Sequence, residues 1–348
     1  MDAVLEVTDL SVAFSVRGSG WRPSKVTVVD RVSLQIAPGE IVGLVGESGS
    51  GKSTTARAVL RLIPSTGDGR IVLLGRDITH TKDRELRTHR RHAQMVFQDP
   101  YSSLDPAMTV GGLLAEAIAI DGKKRSKAAV RARSVELLEQ VGLDEAHIDR
   151  YPAEFSGGQR QRVAIARALA PRPQLIVCDE AVSALDVSTQ RQIVQLLKKL
   201  RDETGVAILF IAHDLAVVRR IAERTLVMYC GQVVEEGRSR DLFSTPSHPY
   251  TLALLSAVPV PSPARQRARR RIVLSGDVPN PADPPTGCRF HPRCPFAFEP
   301  CAETEPPRTT TAGGTVRCHL HGTGRQLPWA VEDREVAGLE RAPHSVEV

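Results

Sequence analysis

Lys52 and Ser53 sit at the end of a run of small residues, Gly46, Glu47, Ser48, Gly49, Ser50 and Gly51, with Thr54 following, and the whole fits G-x-x-x-x-G-K-[ST]. Such a loop turns backbone N–H groups inward onto phosphate oxygens, the lysine meets the terminal phosphates, and the hydroxyl joins a Mg²⁺ shell. A flexible Gly/Ser turn is the alternative reading. Further along, "LIVCDEAVSALD" ends four apolar residues in two carboxylates, Asp179 and Glu180. The first is placed to hold a divalent cation and the second to face an attacking water. Alone, a strand ending in Asp-Glu is commonplace; beside a phosphate loop it is the expected second half. A third concentration is Cys288, Cys294, Cys301 and Cys318, four of the six cysteines, spaced C-x5-C-x6-C-x16-C among prolines and charges. A disulfide pair is disfavoured in a reducing compartment. Free structural thiols usually occur singly in apolar runs such as those around Cys178 and Cys230. A metal site accounts better for the group, yet the spacing has neither a zinc C-x2-C knuckle nor a ferredoxin pattern, so it does not choose the metal. His291, His319 and His321 could each replace a cysteine in a zinc site.

These groups need elements to position them. The alternation over residues 4–14 and the β-branched runs "VTVVDRVSLQI" and "GEIVGLVG" open the chain as a sheet. The apolar strand 41–45 runs into the glycine loop and then a helix-like "STTARAVLRLI", which is a strand, loop and helix in the order phosphate binding requires. Residues 101–170 turn helical, with Val130, Val135, Leu137, Leu138 and Val141 near one face. The buried-strand runs "LIVCDE" and "VAILFIAH" are separated by a helical "STQRQIVQLLKKLRDETG", which implies parallel α/β pairing. Past residue 243 the texture becomes proline-rich. The expected division is a nucleotide-binding domain over 1–245 and an extension over 246–348, with the cysteine site at about 286–320.

At 348 residues the chain fits one large or two unequal domains. The first residues lack the basic start and apolar run of a secretory signal, and no stretch approaches a membrane span. Net charge is +6, with much of the excess in "KKRSKAAVRAR" and in the run 265–271, both expected as solvated surface. Aromatics are 4% of residues, too few for stacking along single-stranded nucleic acid, so no nucleic-acid partner is expected.

"EFSGGQRQRVAIARAL" just upstream of "LIVCDE" resembles the signature motif of ATP-binding cassette (ABC) ATPases. Gln98 in "MVFQDP" is similar to that family's Q-loop, "SALD" ending at Asp186 to its D-loop, and His213 in "FIAHD" to its switch histidine. The resemblance implies a P-loop α/β fold with a RecA-like core, an antiparallel β subdomain and a helical subdomain. It implies ATP hydrolysis with Glu180 polarising water, His213 contacting the γ-phosphate and Gln98 linking water and Mg²⁺ to the helical subdomain; the Mg²⁺ ligands are Ser53, Gln98 and Asp179. It further implies head-to-tail pairing, with Ser156, Gly157, Gly158 and Gln159 of one chain reaching the nucleotide of the other. Phe14 is the candidate for stacking on adenine, with Trp21 as the alternative. Phe155 and Ala181 depart from the family's commoner leucine and proline, and neither removes a chemical group.

"SHPYT", the prolines after it and "CRFHPRCP" resemble the C-terminal extension of oligopeptide and dipeptide importer ATPases, closer to the chain lettered F than to that lettered D. That resemblance implies a second ATPase chain, normally different from this one, and two membrane-spanning permease subunits. An extracytoplasmic binding protein acts indirectly, and this chain lies on the cytoplasmic face of the membrane. It also implies a [4Fe–4S] cluster on the four cysteines, with zinc as the alternative. Related ATPases serve nickel and other solutes; a soluble ABC ATPase and a metal-sensing module with a vestigial ATPase are the remaining readings.

Overall fold

A computed structural model describes residues 2–16, 24–99, 103–258 and 272–321. Trp21, Tyr101, the basic run 265–271 and the tail past 321 lie outside the described residues. In chain order the elements used below are β1 (Leu5–Val16), β2 (Ser24–Ile36), β3 (Ile41–Val45), α1 (Lys52–Val59), β4 (Arg70–Leu73), β5 (Arg76–Asp77), α2 (Asp83–Arg90) and β6 (Ala93–Val96). Then come α3 (Val110–Ile118), α4 (Lys127–Gln140), α5 (Gly157–Leu169), β7 (Leu175–Asp179), α6 (Val187–Thr204), β8 (Ala207–Ala212) and α7 (Leu215–Ile221). The chain closes with β9 (Arg224–Tyr229), β10 (Gln232–Arg238), α8 (Ser239–Ser244), α9 (Pro249–Ala257), α10 (Pro300–Glu303), β11 (Arg308–Thr311) and β12 (Gly314–Arg317).

Two sheets organise these elements. The larger has the order β11-β12-β10-β9-β3-β8-β7-β6, and the smaller the order β2-β1-β4-β5. Strand β3 lies parallel to both β8 and β9, and β7 parallel to both β8 and β6. Parallel strands covered on both faces read as continuous apolar runs, which is why "IVGLV" and "AILFIA" show no polar alternation. Their side chains still divide by parity. Val42, Leu44, Val177, Leu209 and Ile211 face the smaller sheet, whereas Ile41, Val45, Cys178, Ile208 and Phe210 face the helical side. The central sheet is therefore sandwiched between two cores, and only its strand ends are free to present polar groups.

The helical side is built by α3, α4 and α5 packing on one another. Leu137, Leu138 and Val141 are buried there, with Val130 and Val135 packed against them, as the helical spacing requires. The basic stretch 123–133 is solvated surface laced with ion pairs, Arg125 to Asp121 and Arg133 to Glu136. Much of the extension is irregular, as its prolines dictate, but α9 is a buried helix opening at the "SHPYT" motif, and β12 adds antiparallel to β10.

Candidate functional site: a phosphate loop at the carboxyl edge of the sheet

Strands β3, β7, β8 and β6 all end at one edge of the sheet, and each delivers one of the expected residues there. After β3 the chain makes the glycine loop and enters α1 at Lys52. Gly51 is the left-handed residue ahead of the helix, at φ 101°, and a side chain on it would meet the Val28 carbonyl at 2.8 Å. Only glycine fits that turn. Lys52 is buried, its Nζ donating to the carbonyls of Gly46 at 2.9 Å and Glu47 at 2.8 Å. Burial draws its ammonium below the ordinary lysine range, against the pull of Glu180, Asp179 and Glu47. Thr54 and Ser53 are half-buried on the first turn, Ser48 and Gly49 are exposed, and Ser50 is buried with its carbonyl accepting from Gly231 N–H at 2.9 Å.

Asp179 ends β7, fully inside, and accepts from Ser53 Oγ at 2.8 Å. Burial raises its carboxyl above the usual range, partly offset by that hydrogen bond. Glu180 follows at φ 48°, a left-handed backbone that a non-glycine residue adopts at a cost of order 1–3 kcal/mol. The turn is held by Glu180 N–H donating to the Ile211 carbonyl at 3.0 Å and by Ser183 returning to the Glu180 carbonyl. Past β8, His213 Nδ1 lies 3.6 Å from the Glu180 carboxylate. Gln98 is exposed just beyond β6, and Phe14 is 43% exposed on β1. The phosphate loop, Asp179, Glu180 and His213 thus meet at one place, from segments far apart in the sequence.

The signature residues occupy the start of α5. Ser156 is the N-cap, accepting from Gln159 N–H at 3.3 Å, while Gln159 Oε1 accepts from Ser156 N–H at 3.0 Å. This reciprocal pair is a capping box. Gly157 and Gly158 follow, and a side chain on Gly158 would strike Thr189 Cγ2 at 2.5 Å. Asp186 caps α6, accepting from the Ser188 and Thr189 hydroxyls and from their N–H groups at 3.0 Å each, and these bonds, the hydroxyls foremost, hold its carboxyl far below the usual range. The helix starts carrying Ser156 and Asp186 are exposed.

Sequence reasoning missed two residues at the phosphate loop. Tyr250 Oη accepts from Glu47 N–H at 2.8 Å, and Arg293 Nη1 donates to Glu47 Oε2 at 2.7 Å. The "HPY" motif flagged the neighbourhood of Tyr250 but not its partner; nothing local flagged Arg293.

Cys288, Cys294, Cys301 and Cys318 line one cavity together with His291 and His319. No disulfide joins them. Burial, with smaller contributions from neighbouring thiols, pushes Cys294 and Cys318 up to about 12. Four sulfur donors are of the type that suits a soft metal group, although burial favours their neutral thiol form, which does not bind metal. Among the described residues, however, no three His, Cys, Asp or Glu side chains stand at metal-holding spacing, and the cavity measures about 10 Å³, the room of one water-sized sphere. His321 turns away, its Nε2 bonded to the Ser247 carbonyl at 2.7 Å.

Comparison with known proteins agrees with this geometry. The pattern of the family described as ABC transporter matches residues 29–183, and that of the oligopeptide/dipeptide transporter C-terminal region matches 234–301. The chain is 48% identical to the oligopeptide transport ATP-binding protein OppF of Salmonella typhimurium (strain LT2), over 87% of this chain and 92% of that protein. It is 51% identical to a putative peptide import ATP-binding protein of Brucella ovis, over 84% and 92%. Among solved structures it is similar to the ATP-binding cassette MJ0796 in a dimeric post-hydrolysis state bound to ADP and Pi, with TM-score 0.61, 32% identity, and coverage of 68% of this chain and 98% of that one.

Proposed function

The chain belongs to the ABC transporter ATP-binding proteins, in the oligopeptide/dipeptide branch, and from that membership we propose that it hydrolyses ATP to drive import of oligopeptides or dipeptides. The observation that carries the reading is the meeting of Lys52, the Ser53–Asp179 pair and the Glu180–His213 pair at one sheet edge. Lys52 exchanges its loop carbonyls for the terminal phosphates. Ser53, Asp179 and Gln98 would hold Mg²⁺, which would supply charge neutralisation at the phosphates. Glu180 takes the proton of the attacking water, and His213, against its carboxylate, meets the γ-phosphate. Phe14 offers its ring to adenine. The exposed start of α5 serves a second cassette's nucleotide through the N–H groups that follow Ser156, and Asp186 lies beside that junction; a lone chain supplies two half-sites.

The partners are a second ATPase chain, two permease subunits and, through them, an extracytoplasmic binding protein. Among the described residues no helix is long and apolar enough to cross a membrane. On this reading the chain attaches to the cytoplasmic face through the permeases. The test is uptake of a labelled tripeptide by cells lacking this chain. Wild-type chain restores uptake and Glu180→Gln does not. Restored uptake of nickel instead of peptide would transfer the reading to the related solute importers.

For the extension we propose that Cys288, Cys294, Cys301 and Cys318 hold a [4Fe–4S] cluster as a structural staple for a segment with little core of its own. Zn²⁺ is the alternative; for either metal the four side chains must close up, since among the described residues no three donors stand at metal-holding spacing. Iron, sulfide and zinc analysis after anaerobic purification separates the two, and a protein with neither metal removes both.

A further inference from the structure

Glu47 is held at three points, each by a different part of the chain. Its carbonyl accepts from Lys52 Nζ, its N–H donates to Tyr250 Oη, and its carboxylate receives Arg293 through Nη1 at 2.7 Å and Nη2 at 3.3 Å. Arg293 is 8% exposed and directly precedes Cys294 on the cysteine-lined loop. Its guanidinium also lies 5.9 Å from the centre of the Tyr229 ring, in a cluster where Tyr229, Tyr250 and Phe290 stack edge to face. Phe290 and His248 line the cysteine cavity, so the residues gripping Glu47 are packed on the wall of that cavity.

We propose that Arg293 is a positioning residue for ATP binding: by fixing the Glu47 carboxylate it sets the shape of the phosphate loop, and so makes nucleotide affinity depend on the order of the cysteine-lined loop. The inference rests on the reading of residues 46–54 as the phosphate loop. Arg293 is buried and Glu47 half-buried, so removing either partner leaves an uncompensated charge only partly screened by solvent. Here that charge would sit on the loop itself, one residue from Gly46 and in reach of the carbonyl that Lys52 must release. Tyr250 supplies a neutral hydrogen bond that does not replace the lost charge. Because binding free energies are reciprocal, nucleotide must in turn hold the cysteine loop in place.

The test is the ATP dissociation constant of the full-length chain by equilibrium dialysis, with steady-state kinetics alongside. Arg293→Ala is expected to weaken ATP binding about tenfold, within the span usual for coupled sites. It should raise KM in proportion and leave kcat within about twofold. Arg293→Lys should recover part of the loss, since it keeps charge but not the two-pronged contact. Glu47→Gln should weaken binding similarly, and the double variant no more than either single one. Arg289→Ala is the control, because Arg289 ties the same loop to Asp30 without touching the phosphate loop. It should bind ATP as wild type does. Saturating ATP should also slow amide hydrogen exchange over residues 287–301 in wild type and not in Arg293→Ala. Unchanged affinity in Arg293→Ala, equal loss in Arg289→Ala, additive losses in the double variant, or no ATP protection in wild type would each overturn the proposal. A wild-type chain that fails to bind ATP defeats the phosphate-loop reading instead.

Discussion

Ser53 Oγ donates to Asp179 Oδ1 over 2.8 Å, joining the first turn of α1 to the end of β7 across 126 residues of sequence. The pair leaves Asp179 with a second oxygen and a burial-raised pKa, a poor resting place for a carboxylate without a cation beside it. Asp179→Asn is expected to raise the Mg²⁺ concentration for half-maximal hydrolysis by roughly 10- to 100-fold, the scale on which ligand-shell changes act. Chelation of Mg²⁺ should stop hydrolysis in both proteins. A Mg²⁺ titration of ATPase activity checks this, and an unshifted midpoint would remove Asp179 from the metal's shell.

Glu180→Gln should leave ATP affinity within about threefold while hydrolysis falls at least about 100-fold, the low end of what a positioned base contributes. The amide keeps the shape and the backbone turn but cannot take a proton. Single-turnover hydrolysis beside equilibrium ATP binding resolves the two effects. Normal turnover would move the base elsewhere.

Gly158 presses α5 against α6 at Thr189. Gly158→Ala is expected to cost about 1–3 kcal/mol of stability through overpacking. Thr189→Ser deletes the offending methyl, so the double variant should recover most of the melting temperature. If activity with the second cassette stays low after that recovery, the glycine is also needed for approach to the partner's nucleotide; full recovery of both limits its role to packing.

Glu235 is buried and accepts from the Ser247 and His248 N–H groups at 2.6 and 2.9 Å, anchoring the start of α9, and burial pushes its carboxyl from the ordinary 4.5 up to about 7. The folded chain therefore keeps this proton where the unfolded chain has lost it. Its contribution is present below pH 4.5 and declines as pH rises to about 7, by at most about 3 kcal/mol. Glu235→Gln should lower stability overall by leaving one N–H unmet, yet remove this decline. Denaturant unfolding of both proteins from pH 4 to 8 checks it, and parallel curves would mean that folding does not shift the Glu235 carboxyl.

Much of the catalytic edge was legible because each piece is encoded locally: a buried apolar run must end, and the residue types at its end are the ones the sheet presents. Lys52, Asp179 and Glu180 could be read that way, whereas His213 was picked out only by the resemblance to ABC ATPases. The grip on Glu47 could not, since Arg293 lies 246 residues away and an arginine among prolines has no periodicity to betray its partner. The hairpin β11–β12 was overlooked for a different reason. "RTTTAGGTVR" carries threonines and a Gly-Gly turn suited to two short strands, but neighbouring prolines set the texture of the segment and masked them.

That hairpin has a consequence for how the molecule avoids its own kind. Strand β12 satisfies the outer N–H and C=O groups of β10 at Glu235, Glu236 and Gly237, and Arg308 reaches across to the Glu236 carboxylate. Among the described residues the sheet finishes on β11, four residues of arginine and threonine, a blunt polar margin that offers little to a passing strand. A chain cut short of residue 308 would instead end its sheet on β10, with a ladder of unpaired backbone groups beside apolar Val234. Edge-to-edge association of cassettes would follow, so the last short strands act as a guard on solubility.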